Sequence, residues 1–419
     1  MDKLKTEILD LAKSAQRASL RVAELGSGEK NAWIKNTCTL LQERREIIFE
    51  ANRTDLEMAD KKSVTGPIRA RLDLSGSRWD DMISGLEQIA ELEDPVGQVT
   101  RMWVRPNGLK VGRMRIPLGV IGIIYESRPN VTIDAAALCV KAGNACILRG
   151  GSDAINTNLA LGEVLRDATT KTEVPREAIS VISMTDRSAI DHLLRASSFV
   201  DLVIPRGGPE LIRHVTEKSS VPILRHDAGI CHMFIDKSAQ FEMASSLILD
   251  SKLRQVSVCN GLETLLVHRD TEDDLLPRIL KILLKSGVEI RGCPEICRIL
   301  PEAIPAKESD WTTEYLDTIL SVKVVNGLEE AIEHIRSYGS NHTEVIVTES
   351  IKTAEDFLDR VNSSTVGVNC STAFSDGFRL GLGAEIGIST SKLHAYGPMG
   401  LEGLTTEKFI LRGEGQIRE

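Results

Sequence analysis

The sequence predicts an α/β protein of two parallel-sheet domains carrying a β-hairpin arm. From Leu118 onward short apolar runs alternate with helical stretches, and the same rhythm restarts after Cys231–Asp236. An Asn-Gly turn between two alternating segments marks a hairpin ahead of both. Strand and helix alternating at this pitch specify βαβ units and doubly wound sheets, whose ligands bind beyond the carboxyl ends of the strands. At 419 residues the chain exceeds one ordinary core, so two or three domains are expected.

The elements follow in order. From Lys3 to about Arg71 helical spacing occurs twice, around Leu4, Ile8, Leu11 and Ala15, then around Trp33, Leu40, Leu41, Ile47 and Ile48, with charge on the opposite faces. A third helix from Trp79 to Glu93 stops at Asp94-Pro95. Thr100–Pro117 reads as two strands around Pro106-Asn107-Gly108. With no evident partner inside its own domain, this hairpin is expected to project and pair with another subunit.

Strands then fall at Val120–Tyr125, Ala145–Leu148, Ile179–Ser183 and Val200–Ile204, with helices at Ile133–Ala142, Asn156–Ala168, Ser188–Arg195 and Pro209–Glu217. In the second domain strands are expected at Leu262–Val267, Val322–Val325, Glu344–Val347 and Val366–Asn369. Helices are expected from about Asp273 to Leu284, Leu328 to Arg336 and Ala354 to Val361.

Composition excludes several classes of function. Hydrophobic residues make up 42% and charged residues 26%, as in globular proteins. A formal charge of −9, with no basic stretch interleaved by aromatics, leaves nucleic acids and anionic membranes without an electrostatic footprint. No segment approaches the ~18 apolar residues of a membrane span, and the first residues show no signal-peptide core, so a cytoplasmic protein is expected. Eight cysteines lack any framework of spacings, which suits free thiols in a reducing compartment. Cys293 and Cys297, without a second pair or nearby histidine, make a weak metal site, and none is expected.

Two loops at predicted strand ends offer chemistry. Arg149-Gly150-Gly151-Ser152-Asp153 and Pro205-Arg206-Gly207-Gly208-Pro209 each join paired glycines to an arginine ahead of a helix N-terminus. Together they suit a phosphate-bearing cofactor. Cys259, between the helical run Phe241–Leu253 and the strand Leu262–Val267, lies on a connection where a scaffold would hold a reactive group. Taken alone it reads better as a small buried hydrophobe, as most free cysteines are.

Three longer motifs decide between these readings. Pro117-Leu-Gly-Val-Ile-Gly-Ile-Ile-Tyr-Glu-Ser-Arg-Pro-Asn130-Val-Thr, Val258-Cys259-Asn260 and Gly381-Leu-Gly-Ala-Glu-Ile-Gly-Ile-Ser-Thr-Ser-Lys-Leu-His394 resemble the gamma-glutamyl phosphate reductases of proline biosynthesis, a branch of the aldehyde dehydrogenase superfamily. The resemblance runs across nearly the whole chain. It implies an aldehyde dehydrogenase-like fold with a Rossmann-like, NADPH-binding domain at 1–99 and 118–230. It further implies a catalytic domain at 231–380 and an oligomerisation arm at 100–117 and 381–419.

By that resemblance Cys259 is the nucleophile, attacking L-glutamyl 5-phosphate to form a thioester. Asn130 and the Cys259 backbone N–H would hold the oxyanions, although Asn130 after Pro129 also suits a helix N-cap. Arg149, Gly150, Gly151 and Ser152 would border the adenosine ribose and its phosphate. Pro205, Arg206, Gly207 and Gly208 would lie near the pyrophosphate, and Glu314 near the nicotinamide ribose. Arg128, Asn260, Asn369 and Ser371, with Asp376, are candidates for the substrate. Lys252 and His232 are candidates to lower the thiol pKa. Arg225–Gly229 is the stretch comparable to the water-activating glutamate of hydrolytic relatives, a role not needed when phosphate leaves.

The resemblance also implies a homo-oligomer, dimer or tetramer, with glutamate 5-kinase as a candidate partner. Gln255, Ala373 and Tyr396 stand where the family carries arginine, and Arg128, Arg254 and Arg379 could substitute. Two alternatives follow: a related acyl-phosphate or aldehyde oxidoreductase with another substrate, and a non-catalytic homologue.

Overall fold

The computed structural model describes residues 3–64, 66–225 and 228–418. The chain divides into two compact units, one of Met1–His226, Leu382–Gly387 and Met399–Glu419, the other of Asp227–Gly381 and Ile388–Pro398.

In the first unit a four-stranded parallel sheet runs in the order Ile179–Val181, Ala145–Gly150, Val120–Tyr125 and Leu202–Arg206. Every residue of Val120–Tyr125 is buried, as a strand covered on both faces requires. The register sets Tyr125 level with Gly150 and Arg206, so three strands end together and their following loops open at one edge. The N-terminal helices shield this sheet: fully buried Trp33 donates its indole N–H to the Leu165 carbonyl at 3.2 Å.

The apolar run from Trp33 to Ile48 is not one helix. It breaks at Arg44 into Ser27–Glu43 and Arg45–Lys61, and the new helix buries Ile48 while leaving Ile47 exposed.

The hairpin forms as Val99–Val104 and Lys110–Pro117, but its expected isolation is corrected. Residues Thr405–Arg412 pair antiparallel along the second strand, from Thr405 opposite Pro117 to Arg412 opposite Lys110, giving a three-stranded sheet. Arg113 and Glu407 reinforce the pairing at 2.8 Å, and Arg115 reaches Glu402 at 2.5 Å. A polar segment this remote in sequence gives no local sign of its partner.

The second unit holds a seven-stranded parallel sheet in the order Ile304–Pro305, Glu289–Gly292, Ile319–Val325, Leu262–His268, Cys231–Ile235, Thr343–Val347 and Thr365–Val368. Alternation along each strand splits its apolar residues between two cores. Met233, Leu265 and Val267 face Ile248, Leu276 and Ile279, whereas Phe234 and Leu266 face Ile332 and Phe357. Glu289–Gly292 and Ile304–Pro305 are too short and too polar to read as strands from sequence; they complete one edge.

Candidate active site

Cys259 is half-buried on the turn between the helix Phe241–Leu253 and the strand Leu262–His268. Its backbone is held from several sides. The buried Cys231 thiol donates to the Cys259 carbonyl at 3.2 Å. Gly229 packs so tightly against the same carbonyl that an added Cβ would come within 2.1 Å of it. No other residue type has room there. The Gly229 N–H in turn donates to Glu314 Oε1 at 2.9 Å, and burial raises the Glu314 pKa against the opposing pull of that bond.

Both groups named for the thiol are engaged with buried carboxylates. Lys252 Nζ lies 2.7 Å from Glu263 Oε2, both side chains 1% exposed. The His232 Nδ1 contacts Glu344 Oε2 at 2.9 Å, both fully buried. Burial pushes the Glu263 carboxyl up to about 7 and lowers Lys252, with each partner opposing the shift of the other. His226 and Asp227, at the centre of the stretch compared with the hydrolytic glutamate, lie outside the described residues.

Several residues named for substrate spend their polar atoms on hydrogen bonds within the second unit. Asn260 Nδ2 donates to the Ser375 carbonyl at 3.1 Å. Asn369, at φ +52°, matches both polar atoms to the Thr348 backbone at 2.9 Å each. Ser371 is buried and shares a hydrogen bond with Ser251 at 3.0 Å. The Asp376 carboxylate accepts the Phe378 and Arg379 amides, shaping a turn. Tyr396 donates to the Asn362 carbonyl at 2.5 Å. Arg128 and Arg379 are exposed, and Arg254 pairs with Asp250 at 3.3 Å.

In the first unit Asn130 stands at the start of the helix Val131–Lys141 with helical dihedrals and no capping hydrogen bond, so the capping role is corrected. Its amide Nδ2 instead donates to Asp134 Oδ2 at 3.0 Å. Burial pushes the Asp134 carboxyl up to about 6, although the Asn130 bond and the Arg206 charge oppose the shift.

Arg149 does not extend towards solvent. Its guanidinium donates to the Gly150 carbonyl at 2.7 Å and the Thr185 carbonyl at 3.1 Å, and its buried Nε has no hydrogen-bond partner among the described residues. Burial, and after it the charge of Arg187, unnoticed in the sequence, lower the Arg149 pKa. Gly150 and Gly151 are fixed by packing, since a Cβ would strike Asn158 at 2.1 Å or Asp153 at 2.2 Å, while Ser152 is exposed.

The second glycine loop suits an anion on direct grounds. The Gly208 N–H, at the start of the helix Pro209–Lys218, donates to a carboxylate oxygen of Glu126 at 2.8 Å. A Cβ on Gly207 would come within 2.4 Å of the same carboxylate. The donor is directed at negative charge, here the Glu126 carboxylate, so a dinucleotide phosphate fits these residues by taking the place of that carboxylate at the Gly208 amide. Pro205 and Arg206 end the strand behind them.

Four further residues belong to the two sites. Glu126 lies inside the longest motif, and Asp134 stands one helical turn beyond Asn130, where side chains meet. Cys231 looked like an ordinary strand residue. Glu263 carried a readable signal, a charge inside an apolar strand that must have a partner. Among the described residues no helix is long and apolar enough to cross a membrane, and no group of three or more His, Cys, Asp or Glu could hold a metal ion.

Comparison with known proteins completes the assignment. Residues 3–289 match the model of the aldehyde dehydrogenase family. The chain is 50% identical over 413 residues to the gamma-glutamyl phosphate reductase of Geobacter metallireducens, covering 99% of each. It is 49% identical over 411 residues to that of Desulfatibacillum aliphaticivorans, covering 98% of each. The crystal structure of gamma-glutamyl phosphate reductase from Thermotoga maritima superposes with a TM-score of 0.97 at 45% identity, covering 99% of this chain and 100% of that one. With its two parallel-sheet units, its clamped thiol and this end-to-end likeness, the chain belongs to the aldehyde dehydrogenase family, among the gamma-glutamyl phosphate reductases.

Proposed function

We propose that the enzyme reduces L-glutamyl 5-phosphate to L-glutamate 5-semialdehyde and phosphate, in proline biosynthesis, through a thioester on Cys259. The observation that carries this reading is the half-buried thiol on a backbone pinned by Cys231, Gly229 and Glu314, in a chain that matches reductases of that name from end to end.

In the first step the Cys259 thiolate forms a bond to the acyl carbon, the carbon–oxygen bond to the phosphoryl group breaks, and phosphate leaves with the electron pair. The Cys259 backbone N–H and the Asn130 amide hold the oxyanion, and Asp134 keeps the Asn130 nitrogen turned to the correct side. NADPH, when bound, supplies the hydride that reduces the thioester. Collapse of the resulting hemithioacetal breaks the carbon–sulfur bond, releasing the Cys259 thiolate with the electron pair and freeing the aldehyde. Exclusion of water then protects the thioester from hydrolysis.

Glu314 is assigned to the nicotinamide ribose, Gly207 and Gly208 to the pyrophosphate, with Pro205 and Arg206 behind them. Arg149, Gly150, Gly151 and Ser152 border the adenosine end, where Arg149 acts by fixing the strand end. Arg128, Asn260, Asn369 and Ser371 are assigned to the substrate. Residues 1–99 and 118–230 are read as the cofactor domain and 231–380 as the catalytic domain. The arm of 100–117 and 381–419 is read as the site of homo-oligomerisation, in a cytoplasmic enzyme with glutamate 5-kinase as a candidate partner.

Gln255, Ala373 and Tyr396 favour one second reading, an oxidoreductase of the same chemistry acting on a different acyl phosphate. The assay that separates the two runs the reaction backwards with NADP⁺, phosphate and pyrroline-5-carboxylate. Formation of NADPH is expected; folded, cofactor-binding protein that forms none would remove the first reading.

A further inference from the structure

We propose that Glu263 is a positioning residue that ties the nucleophile's loop to the segment carrying Glu314, through the backbone amide of Leu316. The strand Leu262–His268 is buried at every position, and a carboxylate there is costly unless it is both paired and hydrogen-bonded. Its two oxygens do separate work. Oε2 meets Lys252 Nζ at 2.7 Å, and Oε1 accepts the Leu316 N–H at 3.1 Å.

The first contact joins the two flanks of the thiol, since Lys252 precedes Cys259 on the helix and Glu263 follows it on the strand. The second reaches a residue in a left-handed conformation, φ +52°, which a leucine adopts only when its surroundings enforce it. Two residues earlier, Glu314 accepts the Gly229 N–H at 2.9 Å, and Gly229 lies against the Cys259 carbonyl. A closed circuit therefore runs from Glu263 through Leu316, Glu314 and Gly229 to Cys259 and back along the chain to Glu263.

A buried ion pair can often be replaced by apolar side chains without loss of stability, so charge pairing alone does not explain a glutamate here. What an apolar residue could not do is accept the Leu316 amide.

The proposal rests on Glu314 being a cofactor contact, and the test keeps the two apart. E263Q alone would strand the Lys252 charge, so both test variants carry K252M. E263Q/K252M keeps a carbonyl for Leu316, whereas E263L/K252M removes it, and neither retains the ion pair. NADPH dissociation constants, read by cofactor fluorescence, are expected within twofold of the parent for E263Q/K252M and about tenfold weaker for E263L/K252M. Adding E314A to E263L/K252M is expected to weaken binding no further than E314A alone, because both act through one contact.

Equal constants for the two double variants, with E314A weakened, would overturn the positioning role alone. An E314A variant that binds NADPH like the parent would remove the Glu314 assignment and the proposal with it. Should E263L/K252M fail to fold, hydrogen exchange at the Leu316 amide of the parent decides. Protection of at least about 100-fold supports the tie, and exchange at the rate of an open loop overturns it.

Discussion

The strand-end sites of the two units are built in opposite ways. In the first unit Gly208, Glu126 and Ser152 are exposed, the donor is a backbone amide, and the glycine beside it lets a carboxylate approach closely. In the second the supporting groups are inside: Lys252 and Glu263 are 1% exposed and Cys231 is fully buried, while the thiol residue comes part of the way out. A surface of backbone donors can accept a ready-made anion with little preparation. A nucleophile must be held to a fraction of an ångström, and that is a task for packed, mutually satisfied groups.

Four measurements break or sharpen this contrast. Cys259→Ala has the largest expected effect, loss of turnover to the assay limit with the NADPH dissociation constant unchanged within about twofold. Surviving turnover would defeat the nucleophile assignment. Gly229→Ala comes next, because its Cβ must displace the Cys259 carbonyl from 2.1 Å. A drop in turnover of about 100-fold or more is expected, with about 1–3 kcal/mol lost from folding stability in a denaturant titration.

Gly207→Ala should do less, since the atoms it meets, at 2.4 Å on Glu126 and 2.7 Å on Leu211, are side-chain ends and not backbone. A several-fold rise in the KM for NADPH is expected, relieved in G207A/E126A; equal turnover losses in G207A and G229A would erase the distinction between the sites.

The smallest effect is on pH dependence. Burial raises the Glu263 pKa from an ordinary 4.5 to about 7, so between these values the folded protein holds a proton the unfolded chain has released. Stability from this group is therefore present at low pH and falls as pH rises through that interval. Thermal melts should show E263Q/K252M gaining on the parent by a few degrees as pH rises from 4.5 to 7, and parallel curves would contradict the raised pKa.

The contrast also explains what the sequence could and could not reveal. Val120–Tyr125 and the helix Phe241–Leu253 have the bounds their apolar spacing indicates, because burial on both faces or on one stripe is written into neighbouring residues. The exposed glycine loop was legible for the same reason, as a short local string. Arg149 was legible as a cation but not in its direction, which depends on the Thr185 carbonyl of another loop. Lys252 was considered as a neighbour of the thiol when its partner was Glu263, across the turn. Asn369 stands as a candidate for the substrate by its place after a strand, and its left-handed backbone turns both polar atoms onto Thr348. Each miss involves a contact between segments whose spacing in sequence says nothing about their meeting.

The strand Thr405–Arg412 carries a consequence for biogenesis. Its ion pair with Arg113 joins positions 294 residues apart, so on the ribosome the hairpin must wait with one edge open while the whole second unit is synthesised. The second unit's sheet draws its strands from one span between Cys231 and Val368 and can assemble first. An edge left waiting that long invites association with another nascent chain, which makes the last strand to emerge a guard against premature aggregation.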